Sequence, residues 1–350
     1  MSERLEDIVA AMVASGKGLL AADESNATIK KRFDTIGLTS TEDARRDYRE
    51  MLFRTDDAMK PYISGVILYD ETLRQKAKDG TPLAALIKAA GAVPGIKVDV
   101  GAKPLAGFPG ETITEGLDGL RERLAEYHGL GARFAKWRGV ISISDCLPIW
   151  GALRQNAQAL ARFAALCQEA GIVPIVEPEV LMDGEPGNHS IDRCYVVTNW
   201  VLKTVFSELY DARVSLEGMV LKPNMVIDGK NARKASREEV AEKTVRVLKA
   251  SVPASVPGIA FLSGGQSDVD ATAHLSIMNA AGPLPWTMTF SYGRALQDSA
   301  IKAWNGRPEN VADAQRAFAH RARMNSLAAT GKWQPALEKE AGSCRLGRLL

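Results

Sequence analysis

The chain has 350 residues, 46% of them apolar and 25% charged, with a formal net charge of +2. This is the composition of an ordinary globular protein, and the near balance of charge gives no general reason to expect nucleic acid or a membrane as a partner, while leaving room for a local basic site for phosphates. No apolar run approaches the roughly 18 residues of a membrane span, and the opening MSERLEDIVA holds Glu3, Glu6 and Asp7, unlike an organellar or secretory signal, so a cytoplasmic protein is expected.

The first strand candidate is GLLAAD (18–23). A helical pattern at 41–55 follows, opening on Thr41 as N-cap with Asp43 in its first turn. Strand candidates SGVILYD (64–70), GIKVDV (95–100) and RFAKWRGVISI (133–143) come next, then an amphipathic helix at 151–171 that closes on Gly171. IVPIVEPEV (172–180) and GMVLKPNM (218–225) are strands, and the helix at 236–250 opens with a capping-box pattern, Ser236 to Glu239. GIAFLSG (258–264), a helix at 267–282, WTMTFSYG (286–293) and a helical stretch at 309–330 complete the series. Eight strands, each followed by a helical segment and uninterrupted by any linker, predict an α/β fold: a single (β/α)8 TIM barrel over residues 1–330. The last twenty residues, 331–350, hold few apolar anchors and are expected to form a tail outside the packed barrel.

Cys146, Cys167, Cys194 and Cys344 show no C-x-x-C spacing, which predicts reduced thiols. His128, His189, His274 and His320 share no metal-ligand spacing, so neither a metal nor another cofactor is expected.

The strands carry charges where a buried parallel sheet should be apolar. Lys97 and Asp99, Lys136 and Arg138, and Glu177 and Glu179 stand as i, i+2 pairs; Lys222 interrupts MVLKPNM; Asp23 ends the first strand and Arg294 follows the last. Residues i and i+2 of a strand share a face. On the outer face they would be buried against helices at several kcal/mol per ion, so the upper mouth of the barrel, where barrel enzymes keep their active sites, is the expected place. Lysines and carboxylates without a metal suit covalent carbonyl chemistry, in which a neutral amine attacks a ketone and the iminium draws electrons from the adjacent carbon. A free lysine titrates near ~10.4, so its environment must favour the neutral form. Of three candidates, Lys97 has Asp99 beside it and Lys136 has Arg138, whereas Lys222 has Val220 and Asn224 at its i±2 positions; local sequence therefore favours Lys222. Glu177 and Glu179 are the acid/base candidates, a close pair being expected to push one carboxyl upward, and Asp23 is a third carboxylate. Ser263-Gly264-Gly265 after the seventh strand and Arg294 after the eighth stand where barrels bind phosphate.

At these residues the sequence resembles the class I, Schiff-base-forming fructose-bisphosphate aldolases. GKGLLAADES, GVILYDETL, GIKVDVG, PLAGFPGETITEGLDGL, FAKWRGVISI, PIVEPEVL, LEGMVLKPNMV, FLSGGQS and TFSYGRALQ occur in the family's order, covering most of the chain between Gly16 and Thr330. The resemblance implies reversible cleavage of fructose 1,6-bisphosphate with Lys222 as the Schiff-base lysine and Glu177 as the general acid/base. It implies that Lys136 is the cation beside the nucleophile, Asp23 the carboxylate near the breaking C–C bond and Glu179 a supporting carboxylate. Ser263, Gly264 and Arg294 correspond to the site for the phosphate on C1, and Ser25, Thr28 and Lys97 to the site for the phosphate on C6, with Arg138 lining the same cavity. A homotetramer is also implied. Alternatives are a Schiff-base aldolase for another sugar phosphate such as sedoheptulose bisphosphate, and a non-catalytic scaffold that keeps the phosphate site; retention of both Lys222 and Glu177 argues against the scaffold. Many members of the family end in a tyrosine that assists proton exchange; this chain ends GSCRLGRLL and its last tyrosine is Tyr292, so proton exchange is expected to run without it.

Overall fold

Between Gly18 and Tyr292 the short apolar runs become strands that pair in parallel, because each is joined to the next by a helix long enough to carry the chain back to the same end of the sheet. The computed structural model describes residues 3–184 and 186–339. Its strands are β1 (Gly18–Ala22), β2 (Ile63–Leu68), β3 (Val93–Lys97), β4 (Ala102–Pro104), β5 (Thr112–Thr114), β6 (Phe134–Ile141), β7 (Val173–Val180), β8 (Val220–Leu221), β9 (Gly258–Phe261) and β10 (Thr287–Tyr292). Eight of them close into a barrel in the order β1-β10-β9-β8-β7-β6-β3-β2, as the sequence pattern predicts. β4 and β5 form a separate antiparallel hairpin between β3 and β6, which the period-2 pattern did not mark.

The helices are α1 (Leu5–Met12), α2 (Asn26–Asp34), α3 (Glu42–Phe53), α4 (Asp56–Tyr62), α5 (Asp70–Arg74), α6 (Leu83–Ala89), α7 (Leu120–Gly129), α8 (Trp150–Glu169), α9 (Ile191–Asp211), α10 (Arg237–Ser251), α11 (Asp268–Ala280), α12 (Arg294–Trp304) and α13 (Val311–Ala329). The predicted caps are in place: the Ala44 amide donates to Thr41 Oγ1 at 3.1 Å and the Glu239 amide to Ser236 Oγ at 3.2 Å. Among the described residues no helix is long and apolar enough to cross a membrane.

The interior of the barrel is apolar at one end and charged at the other. Ile8, Val9 and Met12 of α1 are buried in one cluster with Leu19, Ile67, Phe134, Val173, Ile175 and Val220, so α1 closes the N-terminal end of the barrel. Room for the Phe134 ring comes from its neighbours: a Cβ on Gly95 would lie 2.2 Å from it. On the outer faces, Trp137 of β6 packs against Phe163 of α8 with ring centroids 5.7 Å apart. Inward-facing Phe134 is followed on the same face by Lys136 and Arg138, and Val173 and Ile175 by Glu177 and Glu179. The strands thus switch from filler to function partway up.

Most boundaries move by one to three residues, and two differences change the reading. The strand expected at 218–225 shrinks to Val220–Leu221, since Pro223 has no N–H to continue the ladder; the Lys222 amide still donates to Val176 O at 2.8 Å, which fixes its position. Part of the expected tail packs onto the barrel: Trp333 is buried and donates from Nε1 to Glu338 Oε1 at 2.9 Å, and Glu338 accepts from Arg321 Nη1 at 2.5 Å. Composition alone did not show that a buried arginine on α13 would anchor residues 331–339. Residues 340–350, the remainder of that tail, lie outside the described residues.

Candidate active site

Charged groups that the sequence scatters over six of the eight barrel strands meet at the C-terminal mouth of the barrel. A cavity of about 410 Å³ is lined there by Asp23, Ser25, Thr28, Lys97, Lys136, Arg138, Glu177, Glu179, Lys222, Ser263, Gly264 and Arg294, twelve of the thirteen residues expected. The thirteenth, Gly265, faces a neighbouring cavity behind the turn. The next residue of the turn faces away because Gly264 and Gly265 both have positive φ, 54° and 82°, which reverses the chain.

Lys222 reaches the site from just beyond β8, where the chain has left the ladder but is still pinned by its amide. Its Nζ lies 3.1 Å from Glu177 Oε1. The other oxygen of that carboxylate, Oε2, lies 3.1 Å from Lys136 Nζ, and Lys136 Nζ lies 2.8 Å from Asp23 Oδ2. One carboxylate therefore bridges two amines; Lys222, Glu177 and Lys136 are buried, and Asp23 is partly exposed at the cavity wall. Arg138 Nε pairs with Glu179 Oε2, and Lys97 Nζ lies 3.4 Å from Asp99 Oδ1.

This pairing alters the electrostatic reading in two places. Adjacency in sequence sets Lys136 against Arg138, but each has its own carboxylate. Burial disfavours the charge on Lys136, yet Asp23, Glu177 and Asp99 outweigh it and hold the ammonium well above the usual lysine range. Lys136 is thus a fixed cation. The expectation that Glu177 and Glu179 would push one carboxyl upward is also corrected. Burial acts to raise Glu177, but Lys136, Lys222 and Arg138 overcome it and hold the carboxyl below the ordinary glutamate value, while Glu179 turns to Arg138. Asp23 is held far below the carboxylate range, burial again being outweighed by Lys136, Lys222 and Lys97. Two carboxylates near each other repel, but here three cations decide the outcome.

Two further groups of polar residues flank this centre. Arg294, the first residue of α12, is about half exposed and among the described residues pairs only with Asp183, at 3.9 Å, so its guanidinium is available to a ligand. Gly264 and Ser263 lie beside it on the turn after β9. At another wall Ser25 caps α2, accepting from the Thr28 amide at 3.4 Å, and the two hydroxyls lie 3.1 Å apart.

The sequence pattern did not single out Glu24, Arg32 or Arg49. Glu24 Oε1 pairs with Arg32 Nη1 at 2.7 Å, and Arg49 Nη2 donates to Glu24 O at 2.8 Å from a fully buried position. Arg32 lines the cavity. A second acid directly after Asp23, with an arginine eight residues on, two turns along the following helix, was the available signal. Among the described residues no group of three or more His, Cys, Asp and Glu side chains is placed to hold a metal ion. A larger concavity, about 1280 Å³ between α5, α7, α8 and the β4–β5 hairpin, contains several arginines but no lysine and none of the thirteen residues.

Comparisons with known proteins agree with this chemistry. The family model described as class-I fructose-bisphosphate aldolase matches residues 4–347. Over 334 residues the chain is 56% identical to a protein of Xanthomonas campestris pv. campestris named probable fructose-bisphosphate aldolase class 1, covering 95% of this chain and 99% of that one. It is 53% identical over 320 residues to the cytoplasmic isozyme of fructose-bisphosphate aldolase of Spinacia oleracea, covering 91% and 88%. A solved structure of fructose-bisphosphate aldolase from Plasmodium falciparum, in a ternary complex with TRAP and a small-molecule inhibitor, matches with a TM-score of 0.92 and 48% identity, covering 94% and 95%.

Proposed function

The chain belongs to the class-I fructose-bisphosphate aldolase family, and on that premise we propose that Lys222 is the nucleophile in its reversible cleavage of fructose 1,6-bisphosphate to dihydroxyacetone phosphate and glyceraldehyde 3-phosphate. The observation that supports this assignment is the shared carboxylate: Glu177 lies 3.1 Å from Lys222 and 3.1 Å from the fixed ammonium of Lys136. Lys222 Nζ attacks the C2 ketone, and Glu177 relays protons as the carbinolamine forms and loses water. The resulting iminium withdraws the electron pair of the C3–C4 bond as a carboxylate takes the proton of the C4 hydroxyl. Glyceraldehyde 3-phosphate leaves, the enamine is protonated at C3, and water releases dihydroxyacetone phosphate from Lys222. Lys136 and Asp23 keep charge fixed beside the reacting carbons, which stabilises the transition state without reorganisation. Cleavage is expected to proceed undiminished in excess EDTA in a steady-state assay; no cleavage of fructose 1,6-bisphosphate, or a loss restored by zinc, would overturn the mechanism.

Ser263, Gly264 and Arg294 hold the C1 phosphate, and Ser25, Thr28 and Lys97 the C6 phosphate. Arg294→Ala removes a planar donor to a dianion, and a hydrogen bond to a charged group contributes roughly 1.5–3 kcal/mol. Affinity for the bisphosphate is therefore expected to fall by about one to two decades, with fructose 1-phosphate affected at least as much. A loss confined to C6-phosphate recognition would reverse the two assignments. By the same family reasoning the enzyme works in the cytoplasm as a homo-oligomer; exposed Trp150, Trp200 and Tyr210 are surface that a subunit contact would cover.

A further inference from the structure

The turn after β9 is gripped from behind by two side chains that do not line the substrate cavity. The Gln266 amide N donates to Ser263 O at 3.0 Å, closing a tight turn over Gly264 and Gly265. Ser263 O also accepts from Gln266 Nε2 at 2.9 Å. A carbonyl oxygen only accepts, so the NH2 of Gln266 must face it, and Oε1 must face His274, whose Nδ1 lies 2.6 Å away. Two acceptors cannot bond to each other, so Nδ1 carries the hydrogen. Burial pushes the His274 imidazole down to about 4, which leaves the ring neutral near pH 7 and the Nδ1–H tautomer selected by this contact. His274 is itself held on α11, whose first turn is fixed by Ser267, which accepts from the Asp270 amide at 3.0 Å, and by Arg237, which donates to Asp270 Oδ1 at 2.7 Å.

The consequence follows from peptide planarity. Ser263 C=O and Gly264 N–H belong to one planar trans peptide and point in opposite directions. Gly264 itself lines the cavity, so fixing the oxygen from behind fixes the direction of its N–H. Without the grip, a Gly-Gly turn has many ways to rotate that peptide. We propose that Gln266 and His274 are positioning residues for the phosphate-binding turn: they aim the Gly264 N–H at the substrate phosphate through the Ser263 carbonyl. This rests on the reading of that turn as a phosphate site.

His274→Leu keeps an apolar side chain in place and removes the donor. The KM for fructose 1,6-bisphosphate is expected to rise about three- to tenfold, as for one lost hydrogen bond, with kcat within about twofold, the signature of lost uniform binding. His274→Asn is expected to stay within about twofold of wild type in KM, since its Nδ2 stands one bond from Cγ, as Nδ1 does. Should His274→Leu not fold, Gln266→Met removes both amide groups at similar length and tests the same grip. An unchanged KM in either donor-deleting variant, an equal rise in the Leu and Asn variants, or a fall in kcat at constant KM overturns the proposal. Fructose 1-phosphate separates this from the underlying assignment. A KM that rises for both substrates supports the turn as the C1-phosphate site, whereas a rise for the bisphosphate alone keeps the positioning role and moves the turn to the C6 phosphate.

Discussion

Borohydride reduction in the presence of dihydroxyacetone phosphate is expected to fix a covalent adduct on Lys222, and Lys222→Ala is expected to abolish both the adduct and measurable cleavage. Three lysines line the cavity, so the assignment needs a reason to reject two. Lys136 lies between Asp23 at 2.8 Å and Glu177 at 3.1 Å, and is held so firmly charged that almost none of it is free amine at neutral pH. Lys97 pairs with the buried carboxylate of Asp99 at 3.4 Å, at the end of β3 and beside the residues given to the C6 phosphate. Among the described residues Lys222 has one carboxylate partner, Glu177, and shares it with Lys136. That arrangement supplies what imine formation needs, a proton acceptor in contact with the attacking nitrogen and a permanent cation that competes for the same carboxylate. Mass spectrometry of peptides from the reduced enzyme locates the adduct. Recovery of it on Lys136 or Lys97, or trapping that persists in Lys222→Ala, would refute the assignment.

The barrel was legible because its strands and helices alternate with the right periods and caps, from GLLAAD to WTMTFSYG. The site was legible because charge is costly inside a parallel sheet, so Lys136, Glu177 and Lys222 could only make sense at the mouth. What the linear pattern could not carry was pairing. Lys136 and Arg138 are close in sequence, yet each finds its own carboxylate from another part of the chain, which separates the two cations into two ion pairs. The sequence pair Glu177 and Glu179 predicts one raised carboxyl, whereas Glu177 is lowered by cations from β6 and from the segment after β8. Glu24 and Arg32 were passed over because their partnership depends on the angle at which α2 leaves β1. The β4–β5 hairpin is three residues on each side, too short for alternation to register. Trp333 and Glu338 were assigned to a tail because their anchor, Arg321, is buried on α13 and so looks like one more surface arginine in the sequence. Local propensity and hydrophobic period are one-dimensional quantities, whereas an ion pair is a property of two strands at once.

Glu177→Gln tests the proton relay at nearly constant shape. The side chain is buried and its two oxygens contact two different ammonium groups, so a neutral amide in its place keeps the volume but neither accepts a proton nor balances the lysines. Positioned acids and bases contribute about 10²–10⁴-fold, equivalent to about 3–5 kcal/mol of barrier, and kcat for cleavage is expected to fall within that range. Substrate should still bind, because the groups assigned to the two phosphates stand apart from Glu177. The substitutes are already committed: Glu179 to Arg138, and Asp23 to Lys136 at 2.8 Å. The pH profile carries a sign. Glu177 is held below the ordinary glutamate value, so in the free enzyme it is already the carboxylate at neutral pH and acts first as a base. The part of kcat/KM that depends on it is fully present above that lowered value and is lost only as the pH falls through it, below the range where a free glutamate titrates. In Glu177→Gln this acid limb should vanish while the residual rate stays flat across it. Turnover near wild type, or an unchanged acid limb, would move the relay to Glu179 or Asp23 and leave Glu177 as a counter-charge only.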